Sequence, residues 1–264
     1  MATLAFDRPR EAPASDHRFA ATMAMVMAAV VVAGFSTQYL MGRSTFASPL
    51  RVHIHAVAFM GWVALFVAQS WLATRGPLAW HRKLGWVAVG WMAVMIAAAM
   101  VVMVAVVRAG VAPFFFQPQH FLIANPLSLL GFVGLTTAAV VMRKRTDWHA
   151  RLHICGMTMI MGPAFGRMLP MPLLIPYAFE AAGFAAGSFL IAGMVRDRRK
   201  LGAIHPAWWY GLATLAVLIL APNVLAPTAF GDWLYATTVA GSPGAAVPGM
   251  EFAPPPKGPL LVGK

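Results

Sequence analysis

Long apolar runs separated by short polar, proline- or glycine-bearing breaks set the pattern of this chain. About 20 apolar residues cross a hydrocarbon core as a helix. Seven runs reach or approach that length: 20–41, 52–74, 84–107, 121–142, 150–168, 171–195 and 206–226. The fifth is the weakest. Its start is amphipathic and Gly162-Pro163 interrupts it, so the competing count is six helices with a re-entrant fifth segment. The first run is too long for a cleaved signal peptide, and Asp7, Glu11 and Asp16 break the basic pattern such a leader needs. The expectation is an all-α polytopic membrane bundle of about seven transmembrane helices. Residues 1–19 read as a leader, 20–226 as a single-domain bundle, and 227–264 as a Pro/Gly-rich tail. Pro243, Pro248 and Pro254-Pro255-Pro256 crowd that tail. A segment of this kind builds no core and is expected to lie extended on the outer face, free or along a partner.

Composition agrees with the pattern. Hydrophobic residues make up 60% of the 264 and charged residues 11%, where a soluble domain carries about 25% charged. The net charge of +12 would suggest nucleic acid in a soluble protein. Here the cations cluster in loops between apolar runs, which is the positive-inside pattern, and no nucleic-acid partner is expected. One side holds Arg8, Arg10, Arg18; Arg75, Arg82, Lys83; Arg143, Lys144, Arg145, Arg151; and Arg196, Arg198, Arg199, Lys200. The other side holds Arg43, Arg51, Arg108, Arg167, Lys257 and Lys264. The fourteen-to-six imbalance predicts a bacterial inner membrane protein with a cytoplasmic N-terminus and a periplasmic C-terminus. Trp80, Trp86, Trp148 and Trp208-Trp209-Tyr210 flank the richer loops, as an interfacial aromatic belt does. The single cysteine, Cys155, excludes an internal disulfide framework and any thiolate-rich metal site.

A shift of 100 residues aligns 24–64 with 124–164 through eight identities, among them Gly34/Gly134, Arg51/Arg151 and His53/His153. That register places helices 1–3 over helices 4–6. Units of three spans would be inverted in the bilayer.

Polar groups inside membrane helices are costly and mark candidate chemistry. His53, His55 and His120 fall near the outer face, and His81, His149 and His153 near the inner face. On helix 2, His55, Phe59, Trp62, Phe66 and Gln69 form one stripe, suited to a bundle-facing edge beside a flat apolar object. His149 and His153 share a face, as do Asp147 and Arg151 in the acid-first order. Two histidine levels suit axial ligation of noncovalent haem b, the iron held by neutral imidazoles. The outer level would pair His53 or His55 with His120, and the inner level His153 or His149 with His81. Electrons could then cross the membrane, with quinone as a further cofactor; a chlorophyll-type macrocycle fits the same geometry. No C-x-x-C-H is present, so c-type attachment is excluded. The H-x-x-H-H boxes of di-iron hydroxylases and the H-E-x-x-H of zincins are also missing. Glu180 is the one acid well inside a helix, with Gly183 and Gly187 on its face as a close-packing G-x-x-x-G. Arg167, across the Leu169-Pro170-Met171-Pro172 hairpin, is the expected partner in an Arg–Glu clamp between helices 5 and 6; the other reading of Glu180 is a proton or substrate site. The methionines around Cys155 read as apolar filler rather than a Cu(I) path.

Arg51-Val-His-Ile-His-Ala, Trp62, Gln69, His81-Arg-Lys-Leu-Gly and Asp147-Trp-His-Ala-Arg-Leu-His resemble uncharacterised bacterial multi-pass membrane proteins marked by H-x-H-A, H-R-x-L-G and D-x-H-x-R-L. The resemblance covers about residues 50–170 and implies no established activity. A looser similarity to cytochrome b561-type haem bundles rests on histidines at two levels, with a different spacing within helices. The leading expectation is a haem b or macrocycle protein in electron transfer, embedded in the lipid bilayer. If it is an enzyme, it is a membrane-bound quinone- or haem-linked oxidoreductase. The alternatives are a cofactor-free accessory subunit, packed in a larger membrane complex or homo-oligomer, and a small inverted-repeat transporter using Glu180 and the histidines.

Overall fold

The computed structural model describes residues 14–255, and among these the secondary structure is entirely helical. Nine α-helices follow in chain order: α1 (Ala14–Leu40), α2 (Leu50–Arg75), α3 (Leu78–Arg108), α4 (Pro118–Val141), α5 (Thr146–Met159), α6 (Gly162–Met168), α7 (Ala178–Leu201), α8 (Pro206–Leu225) and α9 (Ala229–Val239). Six of them, α1–α4, α7 and α8, are long and apolar enough to cross a membrane. Prolines set several starts: Pro49 and Pro77 stand at the N-caps of α2 and α3, and Pro118 and Pro206 open α4 and α8, where a missing N–H costs nothing. Gly202, at φ 73°, stops α7 in the left-handed conformation that only glycine adopts freely.

Polar contacts define two ends. Asp16, Asp147, Arg151, Asp197 and His205 meet at the first. Gln119, Ala226, Asp232 and Gly249 meet at the second. Helices α1, α3 and α8 run from first end to second, and α2, α4 and α7 return. The fifth apolar segment crosses as a broken pair, α5 and α6, separated at Ile160-Met161. It is not a re-entrant loop. Leu152 and the run from Ile154 to Met159 are buried, so the break lies inside protein, where interrupted backbone is tolerated at membrane depth. A Cβ on Gly34 of α1 would stand 2.5 Å from the Ala164 carbonyl oxygen of α6, which shows how closely the broken helix is clasped. The expected repeat has a counterpart in the architecture. Helices α1, α2 and α3 begin at Ala14, Leu50 and Leu78, while α4, α5 and α7 begin at Pro118, Thr146 and Ala178. Each pair stands close to the hundred-residue offset, and its members run in opposite directions.

The outer surface is apolar: Val94, Val101, Leu130, Phe184, Leu220 and Val224 are all exposed. A bundle that shows aliphatic side chains outward along its spans belongs in lipid. The main core joins Met27, Trp62, Phe66, Phe132, Ile154, Leu190 and Trp208 across the helices. The G-x-x-x-G of α7 packs as expected, since Cβ atoms on Gly183 and Gly187 would touch Ile219 and Leu215 of α8 at 3.0 Å. Gly193, further along α7, lies against the indole of fully buried Trp208. Gly193→Ala is therefore expected to cost about 1–3 kcal/mol by overpacking, read as a lower unfolding midpoint in detergent. Gly90→Ala, with open space around it, should leave that midpoint unchanged or raise it slightly.

Two expectations are corrected. The stretch 14–19, read as leader, already belongs to α1, and Asp16 is buried. The rest of the leader lies outside the described residues. The tail is not an extended arm. Its first part forms α9, capped by Thr228 Oγ1 accepting from Gly231 N, and Tyr235 and Val239 pack on Met103, Val107 and Leu122. The chain beyond α9 is strapped across the second end. Gln117 Nε2 donates to Met250 O at 2.7 Å and Gln119 N to Gly249 O at 2.8 Å, while Arg108 Nη1 holds the end of α9 itself through Thr238 O at 2.7 Å. Burial pushes the Tyr235 phenol up, so it stays a donor, to Val247 O at 2.9 Å. Eleven residues are too few to span a bilayer but enough for an apolar cap.

Candidate functional site

Three of the six candidate histidines converge at the first end. His81 stands one turn into α3, and His149 and His153 occupy successive turns of α5. The His81 and His149 rings lie 6.2 Å apart between centroids, inclined at 81°. His149 and His153 lie 4.6 Å apart at 90°. His81 Nδ1 is 3.2 Å from Gln69 O, and His149 Nδ1 is 2.8 Å from Ala139 O. A carbonyl oxygen only accepts, so each ring donates through Nδ1. That fixes the tautomer with its lone pair on Nε2, the arrangement that orients histidine ligands. His153 makes the ring contact with His149 and no hydrogen bond to a described residue. His17 of α1 is within electrostatic range of His81 and His149.

The α2 stripe borders this group. Trp62 and Phe66 are buried, and Trp62 meets Phe132 edge to face at 5.0 Å. Gln69 supplies the carbonyl for His81, while its side-chain Oε1 and the Trp62 Nε1 are buried without partners. Unsatisfied buried polar atoms on one helix face call for an explanation. Among the described residues no group of three or more His, Cys, Asp or Glu side chains is placed to hold a metal ion. The arrangement offers paired imidazoles instead.

Beside the histidines lies a charged cluster that the sequence reading did not assemble. Arg151 donates through Nε to Asp197 Oδ2 at 2.7 Å, and through Nη2 to Asp197 Oδ1 and Asp16 Oδ2, both at 2.9 Å. Arg196 bonds Asp16 Oδ1 and, at 3.0 Å, Asp197 Oδ1. Trp208 Nε1 donates to Asp197 Oδ2 at 2.7 Å. Two carboxylates and two guanidiniums thus close a neutral group joining α1, α5 and α7. The expected Asp147–Arg151 pairing takes another form: Arg151 Nη1 reaches the Asp147 backbone oxygen at 3.0 Å. The Asp147 carboxylate instead takes His205 Nε2 at 3.1 Å. His205 Nδ1 accepts from Ala207 N and caps α8. Asp16, Asp197 and His205 left one signal in the sequence, as polar residues at the margins of apolar runs.

The second end is assembled differently from expectation. His53 is bonded to Phe46 O at 3.1 Å on the exposed side. His55 lies against Phe59, with centroids 4.4 Å apart and planes tilted at 33°, and is within electrostatic range of Arg167. His120 is buried against Phe179 of α7, with centroids 5.2 Å apart. No hydrogen bond or ring contact among the described residues joins His53 or His55 to His120. The Arg167–Glu180 clamp is not formed. Arg167 folds back to Pro163 O at 2.7 Å and lies over the Phe35 ring at 4.0 Å. Glu180 takes a hydrogen bond from Asn223 Nδ2 of α8 at 2.7 Å. The residues between α6 and α7, including a 3-10 turn Met171–Leu174, turn Glu180 toward α8 while Arg167 faces α1. Comparison with protein-family models, with curated proteins and with solved structures finds no match.

Proposed function

We propose that this membrane bundle holds haem b, or a related flat metal macrocycle, through His81 and His149 and serves electron transfer. One observation carries the reading: two neighbouring imidazoles set edge to face at 81°, each donating Nδ1 to a backbone carbonyl, with ring centroids 6.2 Å apart. His81 and His149 would hold the metal of such a group through Nε2, the nitrogen their carbonyl bonds leave free. Haem bound there would supply one-electron chemistry. The chain's own residues do the rest. The carbonyls of Gln69 and Ala139 keep both Nε2 lone pairs available, and His153 braces His149. The apolar face of α2 excludes water. With no such contact joining His53 or His55 to His120, the reading has one centre rather than one at each face. The Lys/Arg-rich loops at the same end support a cytoplasmic position for it in a bacterial inner membrane, with α9 and the strap on the periplasmic side.

The test is the absorbance of the detergent-purified protein after expression with ample haem supply. A Soret band, with α and β bands that sharpen on dithionite reduction, is expected. A folded, helical preparation that stays colourless and leaves added haem with its free spectrum defeats the reading in favour of a cofactor-free subunit.

A further inference from the structure

We propose that the cavity at the second end is a binding site for a small organic cation of the ammonium class. It encloses about 250 Å³ among the start of α4, the start of α7, the end of α8 and the strap. Phe115, Phe116, Phe179 and Phe252 wall it, and exposed Tyr177 stands at its edge. His120 lines it, only 7% exposed and without a hydrogen bond to any described residue. Glu180 lines it too. Its Oε1 accepts from Asn223, and its Oε2 is buried with no partner.

The hydrogen bonds already made decide what the cavity can take. Asn223 Nδ2 gives its two protons to Glu180 Oε1, at 2.7 Å, and Ile219 O, at 2.9 Å. The Gln117 amide nitrogen is turned to Met250 O at 2.7 Å. No Lys or Arg lines the space. What stays unspent is mostly acceptor oxygen (Glu180 Oε2, Asn223 Oδ1 and Gln117 Oε1), with the Tyr177 hydroxyl and the His120 imidazole, inside aromatic walls. A ligand rich in carbonyls finds few donors here. A cation satisfies the carboxylate and is attracted by the ring faces, and the volume suits a head group with a short tail. The assignment rests on this cavity alone and is independent of the histidines at the other end.

Calorimetric titration of the full chain in detergent tests it, using choline chloride, its uncharged isostere 3,3-dimethylbutan-1-ol, and hydroquinone. Choline is expected to bind about tenfold or more tightly than the isostere. Glu180→Gln should remove about tenfold of that affinity, and Phe179→Leu about threefold, with helical content unchanged by circular dichroism. Glu251→Gln, at an exposed carboxylate of the strap, should change nothing. Equal binding of choline and the isostere overturns the proposal, as does an unaltered choline affinity in folded Glu180→Gln. Hydroquinone binding in place of choline overturns it in favour of a phenolic ligand.

Discussion

Arg151→Met is expected to destabilise the bundle by about 3–5 kcal/mol, the usual cost of removing one partner from a buried ion pair. The side chain is 5% exposed, and the carboxylates of Asp16 and Asp197 that it serves are 4% and 0% exposed. Its loss leaves two buried carboxylates sharing the single cation of Arg196. It also frees the Asp147 carbonyl and uncouples α1, α5 and α7 at the same end. Methionine fills similar volume, so a cavity contributes little and the deficit is electrostatic. Arg199→Met, at an exposed site, should stay within about 0.5 kcal/mol of the parent. Adding Asp16→Asn to Arg151→Met restores neutrality, leaving Arg196 with Asp197, and should recover part of the loss. The two sites touch, so their effects are non-additive. Unfolding midpoints in detergent read these three variants and Asp16→Asn alone. An Arg151→Met protein as stable as the parent, or a double variant worse than the sum of the singles, would falsify the picture of a charge-balanced cluster.

That cluster also marks where sequence reasoning stops. Apolar run length marks candidate spans, so the six long apolar helices and an interruption of the fifth run beside Gly162-Pro163 were legible. Helical spacing gives which residues share a face, so the α2 stripe and the contacts of Gly183 and Gly187 were legible too. Neither gives which neighbouring helix a face meets. Ala, Val and Met repeat on every side of these helices and carry little information about rotation. His55 therefore meets Phe59 and His120 meets Phe179, with no neighbour in common among their ring contacts. Arg167 and Glu180 lie close in sequence and turn apart. Arg151 finds its acids on α1 and α7, at sequence separations of 135 and 46, which no local motif announces. The helix α9 was hidden for a different reason: it is too short to span, and it precedes a proline-rich stretch that dominates the composition.

Removing single imidazoles should separate the two ends completely. His81→Ala and His149→Ala are each expected to abolish the paired-imidazole spectrum and to cut retained haem about tenfold or more. Changes around metal-ligating histidines of even a supporting kind cost about 10–100-fold in affinity. His153→Ala should be milder, because that ring touches His149 at 4.6 Å but has no carbonyl to fix its tautomer. His53→Ala and His120→Ala should keep the full spectrum, since neither ring meets another histidine. Imidazole added to the His149→Ala protein should restore the parent bands, because the vacated space matches the lost side chain and His81 remains oriented by Gln69 O. A structural role for His149 alone gives no such rescue, since free imidazole does not rebuild its bond to Ala139 O from the α5 backbone. If His120→Ala loses the bands while His149→Ala keeps them, the centre sits at the opposite end. In that case the carbonyl bonds of His81 and His149 serve only to anchor two helix starts.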